Sequence, residues 1–184
     1  QMANLRLTDD EALFLQAACP YLPPHFIDFL KNYRYCPDQV KVSVKNGELS
    51  VEIEGTWETA IFWEVPLMAI ISELYFILCD PLDLSRDLLS EVRDSTAEKS
   101  VDLIMCQFAE FGLRRRYSYD VQDMVIKTLI EESPRRSESR NFIGTSNVHM
   151  AYKYGLKPIG TMAHELIMGY SVLKGMRHAN KAVL

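Results

Sequence analysis

Three short apolar runs in the second half of the chain each contain a glycine that is followed by polar residues. They are CQFAEFGLRRR, NFIGTSN and LKPIGTMAHE, and helical patterns lie between them. A chain that alternates strand, helix, strand, helix, strand is typical of consecutive parallel β/α units. In such folds the loops after the carboxyl ends of the strands carry the chemistry. The order of the runs therefore predicts an α/β fold with its functional side chains on these three loops.

The beginning of the chain predicts two helices. Thr8 and Glu11 have the spacing of a capping box, and we expect the helix that they open to end near Cys19. The pair Pro23-Pro24 opens a second helix, which we expect to end before Pro37.

A β-hairpin is predicted next. Apolar and polar residues alternate on both sides of Asn46-Gly47, a pair that suits the two positive-φ positions of a type I′ turn. The run TAIFW predicts a further strand. VPLMAIISELYFIL, with Pro66 in its first turn, predicts a buried core helix, because Glu73 interrupts it and it is too short to cross a bilayer.

The remaining segments complete the predicted organisation. The polar segment 84–99 predicts a solvated helical connector, and PRRSESR predicts an exposed, mobile loop. SYDVQDMVIKTLIEE and NVHMAYKYG predict helices, the second with a C-terminal glycine. We therefore expect a small α+β domain with a hairpin over 1–107, and the first β/α units of an incomplete α/β barrel over 108–184.

Composition limits the class of protein. Of the 184 residues, 48% are hydrophobic, which is enough for a core, and the formal net charge of −5 disfavours non-specific binding to nucleic acid. The four cysteines fit no zinc spacing, and we expect them to be reduced and buried, as in a cytoplasmic protein. We expect no signal peptide, no membrane partner and no metal-ligand cluster.

The first polar loop offers arginines. On an extended strand Arg114 and Arg116 would point the same way and could bind a phosphate, whereas a solvated charge run is the alternative. Phe111 belongs to the core or offers a ring face to a flat ligand. In the second loop Thr145 and Ser146 supply hydroxyl groups that could bind a ligand.

The second and third loops both precede a helix. Asn147, like Ser146, either binds a ligand or caps the helix that follows. Gly160 and Thr161 precede His164 and Glu165. Since residue 168 is methionine, the H-E-x-x-H zinc motif is excluded. A histidine beside a glutamate fits a general base, a nucleophile oriented by a carboxylate, or a polar cap.

Five motifs in register resemble nicotinate phosphoribosyltransferase. They are FLKNYRY, GTWETAIFWEVPLMAIISE, FGLRRRYS, FIGTSN and PIGTMAHE, and together they extend over nearly the whole chain. The resemblance implies that nicotinate and phosphoribosyl pyrophosphate give nicotinate mononucleotide and pyrophosphate, coupled to ATP hydrolysis. It also implies Mg²⁺, a homodimer with a shared active site, and an irregular α/β barrel beside a smaller domain.

The resemblance implies roles for single residues. His164 matches the histidine that ATP phosphorylates, and Phe111 matches the aromatic residue that stacks on the pyridine ring. Arg114 matches an arginine of the substrate and phosphate pocket. Ser146 stands where the related nicotinamide enzyme has an aspartate; a hydroxyl can donate to a carboxylate, which an aspartate would repel.

Several family segments have no match in this sequence. They are an initial Thr-Asp-x-Tyr segment, whose tyrosine stacks on the ring from the neighbouring subunit, a Ser-Gly-Asp motif and a phosphate loop. The stretch between Lys99 and Phe108 is also short for the family. We therefore expect about half an enzyme, inactive by itself. The alternatives are a non-catalytic interaction domain derived from that enzyme, and an unrelated barrel hydrolase that uses His164 and Glu165.

Overall fold

The computed structural model describes residues 2–79, 87–133, 135–136, 139–161 and 164–176. The helices within these ranges are α1 (Asp9–Ala18), α2 (Pro24–Asn32), α3 (Trp57–Ala60), α4 (Glu64–Leu78), α5 (Leu88–Asp102), α6 (Tyr119–Glu132), α7 (Val148–Tyr154) and α8 (His164–Leu173). The strands are β1 (Val40–Lys45), β2 (Glu48–Ile53), β3 (Phe108–Glu110), β4 (Arg135–Arg136), β5 (Ser139–Arg140) and β6 (Phe142–Thr145). Short 3₁₀ turns occupy Met2–Asn4, Pro37–Gln39, Ile61–Trp63 and Leu113–Arg115. This mixture of helices and strands confirms the α/β class.

Local sequence signals at the start of the chain are confirmed. The Thr8 side chain accepts a hydrogen bond from the backbone N–H of Glu11, whose carboxylate accepts from the Thr8 N–H, so the capping box of α1 is complete. The helix ends at Ala18, and α2 begins at Pro24 but ends at Asn32, well before Pro37. The two helices share a small core of Ala12, Leu15, Cys19 and Ile27.

The predicted hairpin is confirmed in its register. β1 and β2 are antiparallel, and Asn46 and Gly47 between them have φ angles of 54° and 82°. Two successive positive φ angles are the requirement of a type I′ turn, which explains why this dipeptide joins the strands.

The prediction of a strand at TAIFW is wrong. These residues lie in α3 and the 3₁₀ turn after it, and they continue directly into α4. Periodicity does not distinguish a strand from a buried helical segment in so short an apolar run. Gln39 holds the turn in place: its Nε2 donates to Thr59 Oγ1 at 2.9 Å, and its Oε1 accepts from Trp63 Nε1 at 3.1 Å.

The apolar helix is longer and less buried than predicted. The continuous helical segment runs from Trp57 to Leu78, 22 residues, and only 11% of its most apolar window is buried within the described chain. By length and composition alone it could cross a membrane, a test that core helices also pass. Its polar residues join it to the rest of the molecule: Glu73 pairs with Arg116 at 3.6 Å, and Ser72 donates to the Arg116 carbonyl at 2.9 Å.

Two of the three predicted parallel strands form a ladder. β3 and β6 pair in parallel, and the third run contributes a single parallel bridge between Pro158 and Thr145. α6 and α7 follow β3 and β6, and Gly155 ends α7 with a φ of 61°, as predicted. The described residues therefore hold a β/α/β/α unit with a third run laid beside it.

Three further predictions need correction. α5 is not merely a solvated connector, because it packs along α6 and buries Thr96 and Ser100; residues 84–86 lie outside the described chain. PRRSESR contains the antiparallel strands β4 and β5 instead of a loop, with residues 134, 137 and 138 outside the described chain. All four cysteines are free, but only Cys19 is buried.

Candidate functional site

A close backbone approach brings the third polar loop against the second. Gly144 has a φ of 150°, and a Cβ at this position would lie 2.1 Å from the Lys157 carbonyl oxygen. No side chain fits there, so glycine lets the run LKPIG lie directly on β6. The Ile159 N–H then donates to the Thr145 carbonyl at 2.9 Å. The segment that leads to His164 thus leaves the same end of the sheet as the β6 loop.

An open cleft of about 470 Å³ contains several of the predicted site residues. Arg114, Thr161, His164 and Glu165 line it, together with Glu64 at the start of α4 and two apolar residues. His164 is exposed and begins α8, and Thr161 is also exposed. The cleft therefore presents an imidazole, a hydroxyl and a guanidinium to one space.

The predicted geometry of the arginines is wrong. Strand β3 ends at Glu110, and Leu113–Arg115 form a 3₁₀ turn, so the strand alternation does not apply to Arg114 and Arg116. Arg114 faces the cleft and pairs with Glu64 at 2.5 Å, with side-chain exposures of 56% and 43%.

Arg116 turns away from this cleft into the protein. Its side chain is 16% exposed and pairs with Glu73 at 3.6 Å, and its guanidinium lies 5.5 Å from the centre of the Tyr119 ring. Its Nη1 donates to Gln122 Oε1 at 3.4 Å. These contacts give Arg116 a role in packing α4 against α6.

The three polar residues of the β6 loop differ in whether their side chains are free to bind a ligand. Thr145 is fully buried, and its hydroxyl donates to Glu110 at 2.6 Å and accepts from the Asn147 N–H at 3.0 Å. Asn147 caps α7 through the Met150 N–H at 3.2 Å. Ser146 is half-buried, and its hydroxyl makes no hydrogen bond within the described part of the chain. Of the three side chains, Ser146 therefore has a hydroxyl free for a ligand.

The remaining predicted site residues lie on the surface. Phe111 is 51% exposed, so it is not a core residue within the described chain. Gly160 is exposed, as is Glu165, and no hydrogen bond joins Glu165 to His164 among the described residues. The structure thus gives no support to the idea that Glu165 fixes the tautomer of His164.

Sequence reasoning missed Glu64, Glu110 and Gln122. Glu64 contacts Arg114 from 50 positions away in the chain, and no local pattern announces such a pair. Glu110 is the last residue of β3 and directly precedes the predicted loop. Because functional residues lie at the carboxyl ends of parallel strands, this position could have indicated Glu110 from the sequence. Gln122 was hidden because it lies inside an amphipathic helical pattern, where it is nevertheless 3% exposed.

Comparison with known proteins shows the family to which the chain belongs. A family model described as the N-terminal domain of nicotinate phosphoribosyltransferase matches residues 1–72, and a model of the nicotinate phosphoribosyltransferase family matches residues 106–184. The chain belongs to the nicotinate phosphoribosyltransferase family. The alternative of an unrelated barrel hydrolase is therefore wrong.

The chain spans about half the length of the relatives that it matches. It is 43% identical to the nicotinate phosphoribosyltransferase of Desulforapulum autotrophicum, over 97% of this chain and 44% of that protein. The corresponding protein of Methanococcoides burtonii is 39% identical, over 98% and 46%. The crystal structure of the Porphyromonas gingivalis enzyme superposes with a TM-score of 0.87 at 37% identity, over 98% of this chain and 45% of that one.

The resemblance implies Mg²⁺, and the described part of the chain shows no cluster of side chains that would form a site for it. Within the described residues no group of three or more histidine, cysteine, aspartate or glutamate side chains could hold a metal ion. Mg²⁺ commonly keeps several waters and binds through substrate phosphates, so a site made mostly of protein ligands is not required.

Proposed function

We propose that this chain supplies part of the active site of a nicotinate phosphoribosyltransferase. The enzyme would form nicotinate mononucleotide and pyrophosphate from nicotinate and phosphoribosyl pyrophosphate, coupled to ATP hydrolysis, in the salvage route to NAD. The observation that carries the proposal is the cleft in which His164, Thr161 and Arg114 meet, in a chain whose relatives bear this name.

We assign the pyridine ring to the first two loops. The exposed ring of Phe111 offers a face for stacking, and the free hydroxyl of Ser146 can donate to the carboxylate of nicotinate. A carboxylate has acceptors only, so a hydroxyl donor suits it, whereas an aspartate at this position would accept from a carboxamide NH₂ group and repel a carboxylate.

We assign phosphate chemistry to the cleft. Arg114 is the cation that would bind a phosphate, with Glu64 as its partner when no anion is bound. The lone pair of the neutral His164 imidazole would attack the γ-phosphorus of ATP, the bond from that phosphorus to the β,γ-bridging oxygen would break, and ADP would leave. The exposed position of His164 at the start of α8 allows this approach, and backbone N–H groups of the first turn can hold the phosphate.

The other predicted site residues have supporting roles in this proposal. Gly160 and Thr161 would line the approach to His164, while Thr145 and Asn147 hold the β6 loop in shape. Arg116 would act through the packing of α4 and not by contact with phosphate. Glu165 would face the cleft without orienting the imidazole.

The organisation that we propose has two parts and two subunits. Residues 1–107 would form the smaller domain, and residues 108–184 would form the first β/α units of the barrel. A homodimer would complete the shared active site, and neither nucleic acid nor a membrane would be a partner. Four free cysteines are in keeping with a cytoplasmic location.

The test uses what we call the complete enzyme, which is this chain together with the segments that its full-length relatives carry in addition. Purified complete enzyme is incubated with nicotinate, phosphoribosyl pyrophosphate, ATP and Mg²⁺, and nicotinate mononucleotide is measured. Nicotinamide replaces nicotinate in the matched control. We expect product with nicotinate and much less with nicotinamide. No product from either substrate would favour the alternative of a non-catalytic interaction domain.

A further inference from the structure

A half-buried carboxylate lies between the two loops to which we assign the pyridine ring. Glu110, the last residue of β3, accepts from the Gly112 N–H in its own loop and from the Thr145 hydroxyl in the β6 loop, the latter at 2.6 Å. Its backbone carbonyl also accepts from the Ser146 N–H at 2.8 Å. One residue therefore contacts both loops through three separate hydrogen bonds.

Gln122 on α6 fixes the orientation of this carboxylate. Its Nε2 lies 3.2 Å from each Glu110 carboxylate oxygen, and its Oε1 accepts from Asn147 Nδ2 at 3.0 Å. Arg116 adds a charged donor to the same Oε1 at 3.4 Å. Because Gln122 is 3% exposed, water competes little with these bonds.

The geometry points to Glu110 as a positioning residue that sets the distance between the ring-stacking loop and Ser146, and thereby the preference for nicotinate. This inference rests on the function proposed above. Phe111 follows Glu110 directly in the chain, and Ser146 is held by the Glu110 carbonyl. Both carboxylate oxygens of Glu110 accept, one from Gly112 and one from Thr145, and Gln122 Nε2 donates to both; a neutral amide at this position would turn its NH₂ group towards the NH₂ group of Gln122.

The test is Glu110→Gln in the complete enzyme. The amide nitrogen that replaces one oxygen would face the Nε2 donor of Gln122, and the Gly112 N–H as well if it replaced Oε1, so the loops would shift. We expect the KM for nicotinate to rise about tenfold, in line with the loss of a hydrogen bond to a charged group, and the ratio of kcat/KM for nicotinate over nicotinamide to fall. Formation of the phosphoenzyme from γ-labelled ATP does not involve the ring and should stay within about twofold of wild type.

A second substitution and a matched control distinguish a positioning role of Glu110 from general destabilisation of the fold. Adding Gln122→Glu to Glu110→Gln again places an acceptor, now at position 122, opposite a donor, now at position 110. Arg116 and Asn147 would donate to the new carboxylate. The KM for nicotinate should return most of the way to the wild-type value. Glu131→Gln removes an exposed carboxylate from the same helix as Gln122 and should change nothing. If Glu110→Gln does not fold, Glu110→Asp, which keeps the charge but shortens the reach, replaces it. Failure of both variants to fold would assign Glu110 to the fold alone and overturn the inference.

Amide hydrogen exchange tests the link without turnover. In the 184-residue chain Glu110→Gln should speed exchange of the Gly112 N–H, which donates to the carboxylate. The shift of the loops should also speed exchange of the Ser146 N–H, whose acceptor is the backbone carbonyl of residue 110. Unchanged exchange at both amides overturns the inference even in an inactive protein. An unchanged KM for nicotinate in an active Glu110→Gln enzyme overturns the inference as well. So does a raised KM that the added Gln122→Glu substitution does not lower. Absence of nicotinate mononucleotide from the wild-type complete enzyme would instead refute the proposed function.

Discussion

Asp123 on α6 should contribute a pH-dependent part of the stability of the β/α unit. Its carboxylate accepts from Lys153 at 2.6 Å and Tyr154 at 2.6 Å on α7, and from Lys127 at 2.9 Å on its own helix. Burial by itself would raise the pKa of Asp123, but the hydrogen bonds from Lys153, Tyr154 and Lys127 outweigh it and lower the pKa from 3.8 to about 2. Asp123→Asn removes the charge while keeping the shape of the side chain.

The expected effect follows from this difference in pKa. One pKa unit is about 1.36 kcal/mol, so the ionised form stabilises the fold by at most about 2.4 kcal/mol. The Asp123 side chain is 11% exposed, but Lys127 and Lys153 are 48% and 37% exposed, and water screens such partners. We therefore expect Asp123→Asn to lower the free energy of unfolding by about 1–2 kcal/mol at pH 7.

The pH dependence gives the sharper test of the Asp123 network. Since the pKa is lowered on folding, the stabilisation is complete above the unfolded-state pKa of 3.8 and is lost as the pH falls towards about 2. Urea unfolding of the 184-residue chain, followed by circular dichroism from pH 7 down to pH 3, should show the gap between wild type and Asp123→Asn narrowing below pH 4. Glu131→Gln is the matched control. A gap of constant size over this range would refute the reasoning.

Three further predictions concern the proposed site. Arg114→Ala in the complete enzyme should raise the KM for phosphoribosyl pyrophosphate by about tenfold or more, because a charge-assisted bond is lost. Arg116→Ala should mainly lower the free energy of unfolding. Unchanged kinetics for Arg114→Ala would exclude Arg114 from the phosphate site. Ser146→Asp should reduce kcat/KM for nicotinate relative to nicotinamide by placing a second negative charge beside the nicotinate carboxylate, and an unaltered ratio would show that Ser146 does not face the ring substituent. The 184-residue chain alone should form no nicotinate mononucleotide, because the described residues pair only two parallel strands, too few to close the barrel proposed above; product formation by this chain, free of longer protein, would contradict this.

Local signals in the sequence predicted local structure well. The capping box at Thr8, the turn at Asn46-Gly47 and the helix end at Gly155 each depend on a few neighbouring residues, and all three are confirmed. TAIFW failed because a short apolar run carries no period of its own, and Gln39, far away in sequence, ties it into a helical turn.

The site depended on contacts that local patterns do not contain. Three loops after strands were predicted to carry the polar residues, and the structure does bring Thr161 and His164 into one cleft with Arg114. The strand ends before the arginines, however, so their alternation had no physical basis. The hydrogen bond from Gln122 to Glu110 could not be predicted, because it requires knowledge of how α6 packs on the sheet.

His164 provides the last and most direct prediction about the chemistry. His164→Asn in the complete enzyme keeps a polar side chain at the start of α8 but removes the imidazole lone pair, so phosphoryl transfer from ATP should be lost while slow transfer uncoupled from ATP remains. The measurement is incubation with γ-labelled ATP followed by detection of the acid-labile phosphoenzyme, with nicotinate mononucleotide formation followed in parallel. His149→Asn is the matched control. His149 is also exposed, but it lies on α7 with its Nε2 3.2 Å from the Tyr119 phenol oxygen, and it does not line the cleft. A phosphoenzyme that persists in His164→Asn and disappears in another variant would place the acceptor elsewhere, and His164 would then be a polar residue at a helix start.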